Sequence, residues 1–137
     1  VAWSALKKLI EDFESRTSRK QGVQATAVYD LSQNTGVIAY DVSRYVSAAK
    51  ALGYAVKHGF KAEECVAITT GRASGDLVAA VANTGIPILV TTKNPIYSGY
   101  IAATTYKVTL ITTTREKGET KPRILTWPER ILTADPS

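Results

Sequence analysis

A chain of 137 residues with 45% hydrophobic and 21% charged residues is sized for one domain with a buried core, and its composition excludes intrinsic disorder. Its single cysteine and single histidine exclude an internal disulfide framework, zinc sites built on paired thiolates and the paired-histidine metal motifs. The net charge of +5, from 17 Lys+Arg against 12 Asp+Glu, favours anionic partners such as nucleotides or phosphates, although the same dispersed charge also serves solubility.

In chain order, Ala5–Phe13 carries Leu6, Leu9, Ile10 and Phe13 at helical spacing behind Ser4 as an N-cap. Gly22–Leu31, rich in Val, Ala and Tyr, reads as a strand, and turn chemistry at 32–36 followed by Val37–Val42 completes an antiparallel hairpin. Ser43–His58 reads as a helix with Val46, Ala49, Leu52, Gly53 and Val56 facing inward and Gly59 closing it. Cys65–Thr70 is a buried strand. Ser74–Asn83 is a helix with Leu77, Val78, Val81 and Ala82 inward, and Ile86–Val90 is a second buried strand. Pro95–Thr105 predicts a helix weakened by Gly99, and Lys107–Thr114 the last strand. Arg115–Ser137 opens as a polar loop and ends in a segment, with Trp127, Ile131 and Leu132, that packs back on the body. Strands alternating with helices imply right-handed crossovers and parallel pairing in the second half. The expected architecture is α/β, a three-layer α/β/α sandwich on a mixed five-stranded sheet, with 1–137 as a single domain.

Apolar runs such as Ile86–Val90 are far too short to span a bilayer, and no charged-then-apolar leader opens the chain. Methionine is absent altogether, which marks a processed product, a trimmed chain or part of a longer protein. A reducing, cytoplasmic setting is expected. Membranes and nucleic acid are not among the expected partners, because the basic residues are spread out.

In open α/β sheets, ligands bind beyond the carboxyl ends of the strands, where helices begin. Three such starts stand out: Asp41-Val42-Ser43-Arg44, Gly71-Arg72-Ala73-Ser74, and Lys93-Asn94-Pro95-Ile96-Tyr97-Ser98-Gly99. Each offers free N–H groups and the positive end of a helix dipole, and Arg44, Arg72 and Lys93 add formal charge. Taken singly, Ser43 and Ser74 are ordinary caps and Gly71 an ordinary turn glycine. Together on one rim they favour an anion site. The turn at Gly71 has no Walker ending, and Ser74 is not in a nucleophile elbow. His58 lies at the far end of its helix, where it suits the dipole better than catalysis. Cys65 leads into a buried strand, as small apolar residues do. Trp3 and Trp127 read as anchors of the terminal segments.

These residues fall in an ordered set: Asp41-Val42-x-Arg44, Lys50, Gly53, Gly71-Arg72-Ala73-Ser74 with Leu77-Val78, Gly85-Ile86-Pro87-Ile88-Leu89, Pro95, Val108-Thr109-Leu110, Arg115 and Pro128-Glu129-Arg130-Ile131. The set resembles the C-terminal domain of the FdhD family of formate dehydrogenase accessory proteins, from about Leu6 to Ile131. The resemblance implies a cytidine-deaminase-like fold. It also implies the transfer of persulfide sulfur from a cysteine desulfurase to the molybdenum or tungsten bis-guanine-dinucleotide cofactor of formate dehydrogenase. A GDP-like nucleotide or that cofactor is the implied ligand, bound without a covalent link, with Asp41, Arg44, Gly71, Arg72, Ser74, Ser98, Thr113, Thr114, Arg115 and Lys117 as its implied contacts.

The chain departs from the family pattern at several points. The family's carrier cysteines lie upstream of this domain, and Cys65 does not match them. The family's Val-Gly-Arg-His-Asn stands here as Val42-Ser43-Arg44-Tyr45-Val46, an aspartate is Ala49, and Gly-Gly-x-His is Gln21-Gly22-Val23-Gln24. Tyr45 and Ala73 stand near where a deaminase would hold zinc ligands, so zinc-dependent deamination is not expected. Three functions follow: a guanine-nucleotide or cofactor binding module, a sulfurtransferase acting through Cys65 or a partner-supplied cysteine loop, or a structural domain with a lost site. The small-residue face around Ala48–Leu52 and the sheet edge would serve a homodimer.

Overall fold

The computed structural model of the chain describes residues 1–18, 22–116 and 119–132, and for 114–116 and 119–120 the backbone alone. The chain opens with α1 (Trp3–Thr17), whose residues Leu6, Ile10, Phe13 and Thr17 recur at helical spacing and are buried. The hairpin follows as β1 (Gln24–Asp30) and β2 (Thr35–Asp41). Next come α2 (Arg44–Lys57), a short 3-10 turn at Ala62–Glu64 and β3 (Cys65–Thr69). Then α3 (Gly75–Thr84), β4 (Ile88–Thr91), α4 (Tyr97–Tyr106), β5 (Thr109–Glu116) and β6 (Glu119–Ile124) complete the alternation.

The strands form one sheet in the order β2-β1-β3-β4-β5-β6. Pairing is parallel between β3, β4 and β5 and antiparallel elsewhere. Successive residues of the central strands face opposite sides of the sheet. Ala67, Leu89 and Leu110 therefore join the core under α2, α3 and α4, while Val66, Ile68, Ile88, Val90 and Ile111 join the core under α1. That division makes the three layers.

The sheet has six strands, one more than the sequence predicts, and β5 runs on through Arg115 into what reads as a loop. The extra strand, β6, is Glu-Thr-Lys-Pro-Arg-Ile, without the apolar alternation that marks a half-buried strand. It lies at an edge, where Pro122 has no partner to fail. The other correction concerns α2, whose buried residues are Ser47, Ala48, Ala51, Leu52 and Ala55. Val46 and Val56 are 43% and 68% exposed. Of the larger residues expected to face inward, Leu52 does so whereas Val46 and Val56 turn outward, because small side chains at Ala48, Ala51 and Ala55 let the helix settle closely on β1 and β2. The Ala48–Leu52 face consequently packs on the sheet and is not open to a second copy. At the N-terminus, α1 begins at Trp3 behind Ala2, so Ser4 lies inside the helix and not at its cap.

Asp30 at the end of β1 is fully buried. Its carboxylate accepts from Ser32 N and Oγ, Gln33 N and Nε2, and Lys61 N, at 2.6–3.3 Å. Burial favours the protonated form, but these donors outweigh it and hold the carboxyl below its ordinary range. At the other end, Trp127 Nε1 donates to Thr104 O at 3.1 Å, and Arg130 Nη1 donates to the carbonyls of Lys107 and Pro87 and to Thr109 Oγ1. These bonds and buried Ile131 bring the last described segment back on the body, while Leu132 is 65% exposed. Among the described residues no helix is long and apolar enough to cross a membrane.

Candidate functional site

All three helix starts singled out in the sequence lie beyond the strand ends, and the middle one, before α3, is tied to each of the other two. Ser43 caps α2, its Oγ accepting from Val46 N at 3.3 Å. Asp41 braces the same turn: Oδ1 accepts from Ser43 N at 3.1 Å and Oδ2 from Lys50 Nζ at 2.9 Å. Those bonds, the one from Lys50 foremost, hold its carboxyl below the ordinary range. Asp41 thus serves the turn, whatever else it contacts.

Arg44 opens α2 with its stem against Gly71, where an added Cβ would stand 2.6 Å from Arg44 Cβ. Only glycine permits that approach. Its Nη2 donates to Tyr45 Oη at 3.1 Å, and the guanidinium carbon lies 4.8 Å from the Tyr45 ring centroid. Arg44 Nε is buried with no hydrogen-bond partner among the described residues. Tyr45 in turn shares a 2.9 Å hydrogen bond with Ser74 Oγ. Hydrogen bonding to Ser74, then to Arg44, holds the phenol below its ordinary range.

Ser74 also caps α3, accepting from Leu77 N at 3.3 Å. Ser98, in the first turn of α4, accepts from Gly75 N at 3.1 Å. Both hydroxyls therefore satisfy orphan helix donors. Arg72 is exposed and makes no hydrogen bond or ion pair among the described residues. The structure brings Arg44, Gly71, Arg72, Ser74 and Ser98 together on the helix side of the rim.

Thr113 lies elsewhere. With Thr70, Thr92, Lys93, Gln24 and Glu14 it lines a cavity of about 470 Å³ on the α1 side. Gln24 borders that cavity and also a smaller one, about 280 Å³, that includes Ser43, Arg44 and Tyr45. Of the remaining predicted contacts, the side chains of Thr114 and Arg115 and the whole of Lys117 lie outside the described residues.

The cavity was legible in a signal that helix starts do not carry. Paired threonines close β3 and β4 at Thr69-Thr70 and Thr91-Thr92, and Thr112-Thr113 stand at the same level inside β5. Thr69, Thr91 and Thr112 stand side by side in register. Two of these hold the Gly71 turn: Thr69 Oγ1 accepts from Gly71 N at 3.1 Å and Thr91 Oγ1 donates to Gly71 O at 2.7 Å. The next residues, Thr70, Thr92 and Thr113, point the other way and line the cavity. One row fixes the turn; in the other, Thr70 Oγ1 accepts from Ala25 N at 2.9 Å and donates to Gln24 Oε1 at 3.1 Å, while Thr92 and Thr113 line the cavity.

Cys65 is 1% exposed, its thiol donating to Lys61 O at 3.2 Å. Burial, reinforced by the charges of Asp30, Glu63 and Glu64, pushes the thiol up to about 12. His58 stacks on Tyr54 with centroids 3.8 Å apart, its Nδ1 3.0 Å from Tyr54 O. Neither residue lines the rim.

Comparison with known proteins bears on the fold and the family. The chain is 29% identical over 123 residues to the sulfur carrier protein FdhD of Methanothermobacter thermautotrophicus, covering 82% of this chain and 48% of that protein. It is 28% identical over 112 residues to the sulfur carrier protein FdhD of Picrophilus torridus, covering 81% and 42%. The chain thus spans about half the length of the curated relatives it matches. A crystal structure described as that of a formate dehydrogenase accessory protein from Desulfotalea psychrophila superposes with a TM-score of 0.80 at 25% identity, covering 96% of this chain and 59% of that one. The profile of the FdhD/NarQ family matches residues 2–132, and the chain belongs to that family.

Proposed function

We propose that residues 1–137 form the nucleotide-holding C-terminal domain of an accessory protein for formate dehydrogenase. In this reading a guanine nucleotide, or the molybdenum or tungsten guanine-dinucleotide cofactor as cargo, lies on the rim. The cysteines that carry sulfur from a cysteine desulfurase belong to another segment or a partner. The observation that carries the reading is Arg44, whose buried Nε lacks a partner beside Gly71 and exposed Arg72. A buried guanidinium donor left unmatched is costly, and a phosphate oxygen is its natural complement. Arg72 would close on the same phosphate from the α3 start. The base would cross Gln24 into the cavity of about 470 Å³, where Thr92 and Thr113 are among the lining residues. Such a role suits a reducing, cytoplasmic setting.

The test is thermal stabilisation by GDP. A ligand at 100 times its dissociation constant adds about 2.7 kcal/mol of stability. The shift should be present in the wild-type chain and lost in Arg44→Ala and Arg72→Ala. A panel of purine and pyrimidine nucleotides that leaves the melting temperature unmoved sinks the reading. Sulfur transfer through Cys65 is not supported, because a buried thiol pushed up to about 12 is neither accessible nor ionised.

A further inference from the structure

The outer face of α4 differs from those of the other helices. α1 turns Lys7, Lys8 and Glu11 to solvent, α2 turns Lys50 and Lys57, and α3 turns Asp76. α4 reads Tyr-Ser-Gly-Tyr-Ile-Ala-Ala-Thr-Thr-Tyr, without a charge. Gly99 and Ala103 bury its inner side, while Tyr97, Tyr100 and Ile101 are 78%, 42% and 44% exposed. At about 100° per residue, Tyr97, Tyr100, Ile101 and Thr104 share one side of the helix. Ser98 meets Gly75 of α3. Tyr100, two residues on, therefore stands on the flank away from α3, beside β6.

The pleat decides what else borders that flank. Leu125 packs on the core under α2, α3 and α4, and Ile124 on the core under α1, so Arg123 projects to the α4 side. Arg123 is opposite Thr112, which is level with Thr91 at the end of β4. It thus stands at the end of the sheet where α4 begins. At the far end Lys107 closes α4, its Nζ 5.8 Å from the centroid of the Trp127 ring, and Trp127 Nε1 donates to Thr104 O. Lys107 and Arg123 are exposed, and neither forms an ion pair among the described residues. The face is a stripe of tyrosine and isoleucine with a cation at each end.

We infer that this face docks the protein that receives the cargo, through an apolar patch flanked by acidic side chains on that protein. The assignment rests on the proposed function, and two relations name the occupant. First, α4 is a wall of the candidate site: Ile96 N donates to Ala73 O at 3.0 Å and Ser98 Oγ accepts from Gly75 N at 3.1 Å. A protein seated on α4 therefore meets the cargo where it is held. Second, the cations at both ends call for acids. An uncharged tyrosine centre within a charged rim is the anatomy of a protein interface, and tyrosines there carry much of the binding energy. A nucleic acid would need cations along the stripe, where there are none.

Formate dehydrogenase of the same organism, purified without its cofactor and immobilised on a sensor, tests the surface. The wild-type chain should bind it, and bind more weakly as salt rises. Ile101→Glu and Tyr100→Ala should each weaken binding about tenfold or more, and Arg123→Glu should weaken it and flatten the salt dependence. Tyr100→Ala is the milder change and keeps the test decisive if Ile101→Glu fails to fold. Stabilisation by GDP should be the same in all three variants as in the wild type. A chain that GDP stabilises but that does not bind the dehydrogenase, or binds it equally well in all three variants, overturns the inference and leaves the proposed function standing. A wild-type chain that GDP does not stabilise overturns both. A labelled single-stranded oligonucleotide, or a second copy of the chain, that binds with the same sensitivity to Ile101→Glu overturns the inference equally.

Discussion

The first turn of α4 rests directly on the turn that precedes α3: a Cβ on Gly99 would overlap the carbonyl oxygen of Ala73 and stand 2.8 Å from its carbon. Ile96 N also donates to that oxygen at 3.0 Å. Alanine for glycine inside a helix is ordinarily worth about 0.5–1 kcal/mol of stability. Here overpacking outweighs it, so Gly99→Ala should lose about 1–3 kcal/mol. Gly53, in the middle of α2 with nothing within 4 Å of an added Cβ, is the control: Gly53→Ala should raise the melting temperature while Gly99→Ala lowers it.

Gly71→Ala should strain the fold and the candidate site together. The new methyl would meet the stem of Arg44 at 2.6–3.3 Å and push the guanidinium from its place. The nearest of those atoms is Arg44 Cβ, which the backbone of α2 fixes, so the turn or the helix must shift and the loss of stability should be about 1–3 kcal/mol. Under the proposed function, GDP-induced stabilisation should fall by more than the stability does. Full retention of the GDP shift in Gly71→Ala would remove Arg44 from the site.

Asp30 sets a pH dependence. Its carboxyl is held below the ordinary range, so the folded state binds that proton less readily than the unfolded chain. The resulting stability is complete above the unfolded value, about 3.9, and is lost as pH falls through the folded value. Asp30→Asn should lower the melting temperature at pH 7 by roughly 5 °C or more, since donors from Ser32, Gln33 and Lys61 lose their charged acceptor. The gap between variant and wild type should narrow below about pH 4. A gap that holds constant into acid would show that the charge is not what matters.

Cys65 should be silent in the native protein. With the thiol pushed up to about 12, about one molecule in 10⁴ carries a thiolate at pH 8. Labelling by iodoacetamide should therefore follow the unfolding rate and become fast only in denaturant. Rapid modification of native protein would reopen a sulfur-transfer role for this residue.

Ser74 joins two elements, capping α3 and meeting Tyr45 at 2.9 Å. Ser74→Ala should cost about 1 kcal/mol, the usual penalty for a lost N-cap. Tyr45→Phe should cost less, because the cap itself survives. Paired chemical denaturation curves would rank the two.

The sequence by itself determined the alternation of strands and helices. Periodicity of 2 or 3.6 and cap residues are local properties that a chain displays whatever it packs against. Ser43, Ser74 and the Gly71 turn were legible for that reason. The Gly71 side of the candidate site could therefore be read from residue types alone.

Only the tertiary structure decided the rest. β6 carries no periodic apolar signal and exists because β5 supplies a partner. The burial of Ala48, Ala51 and Ala55 in place of Val46 and Val56 depends on how closely α2 can approach the sheet. Two readings of one helix were equally periodic, and packing chose between them. The paired threonines lie far apart in sequence, and parallel register brings them into two rows. Long-range register, edge position and close backbone approach are relations between segments, so no single segment could display them.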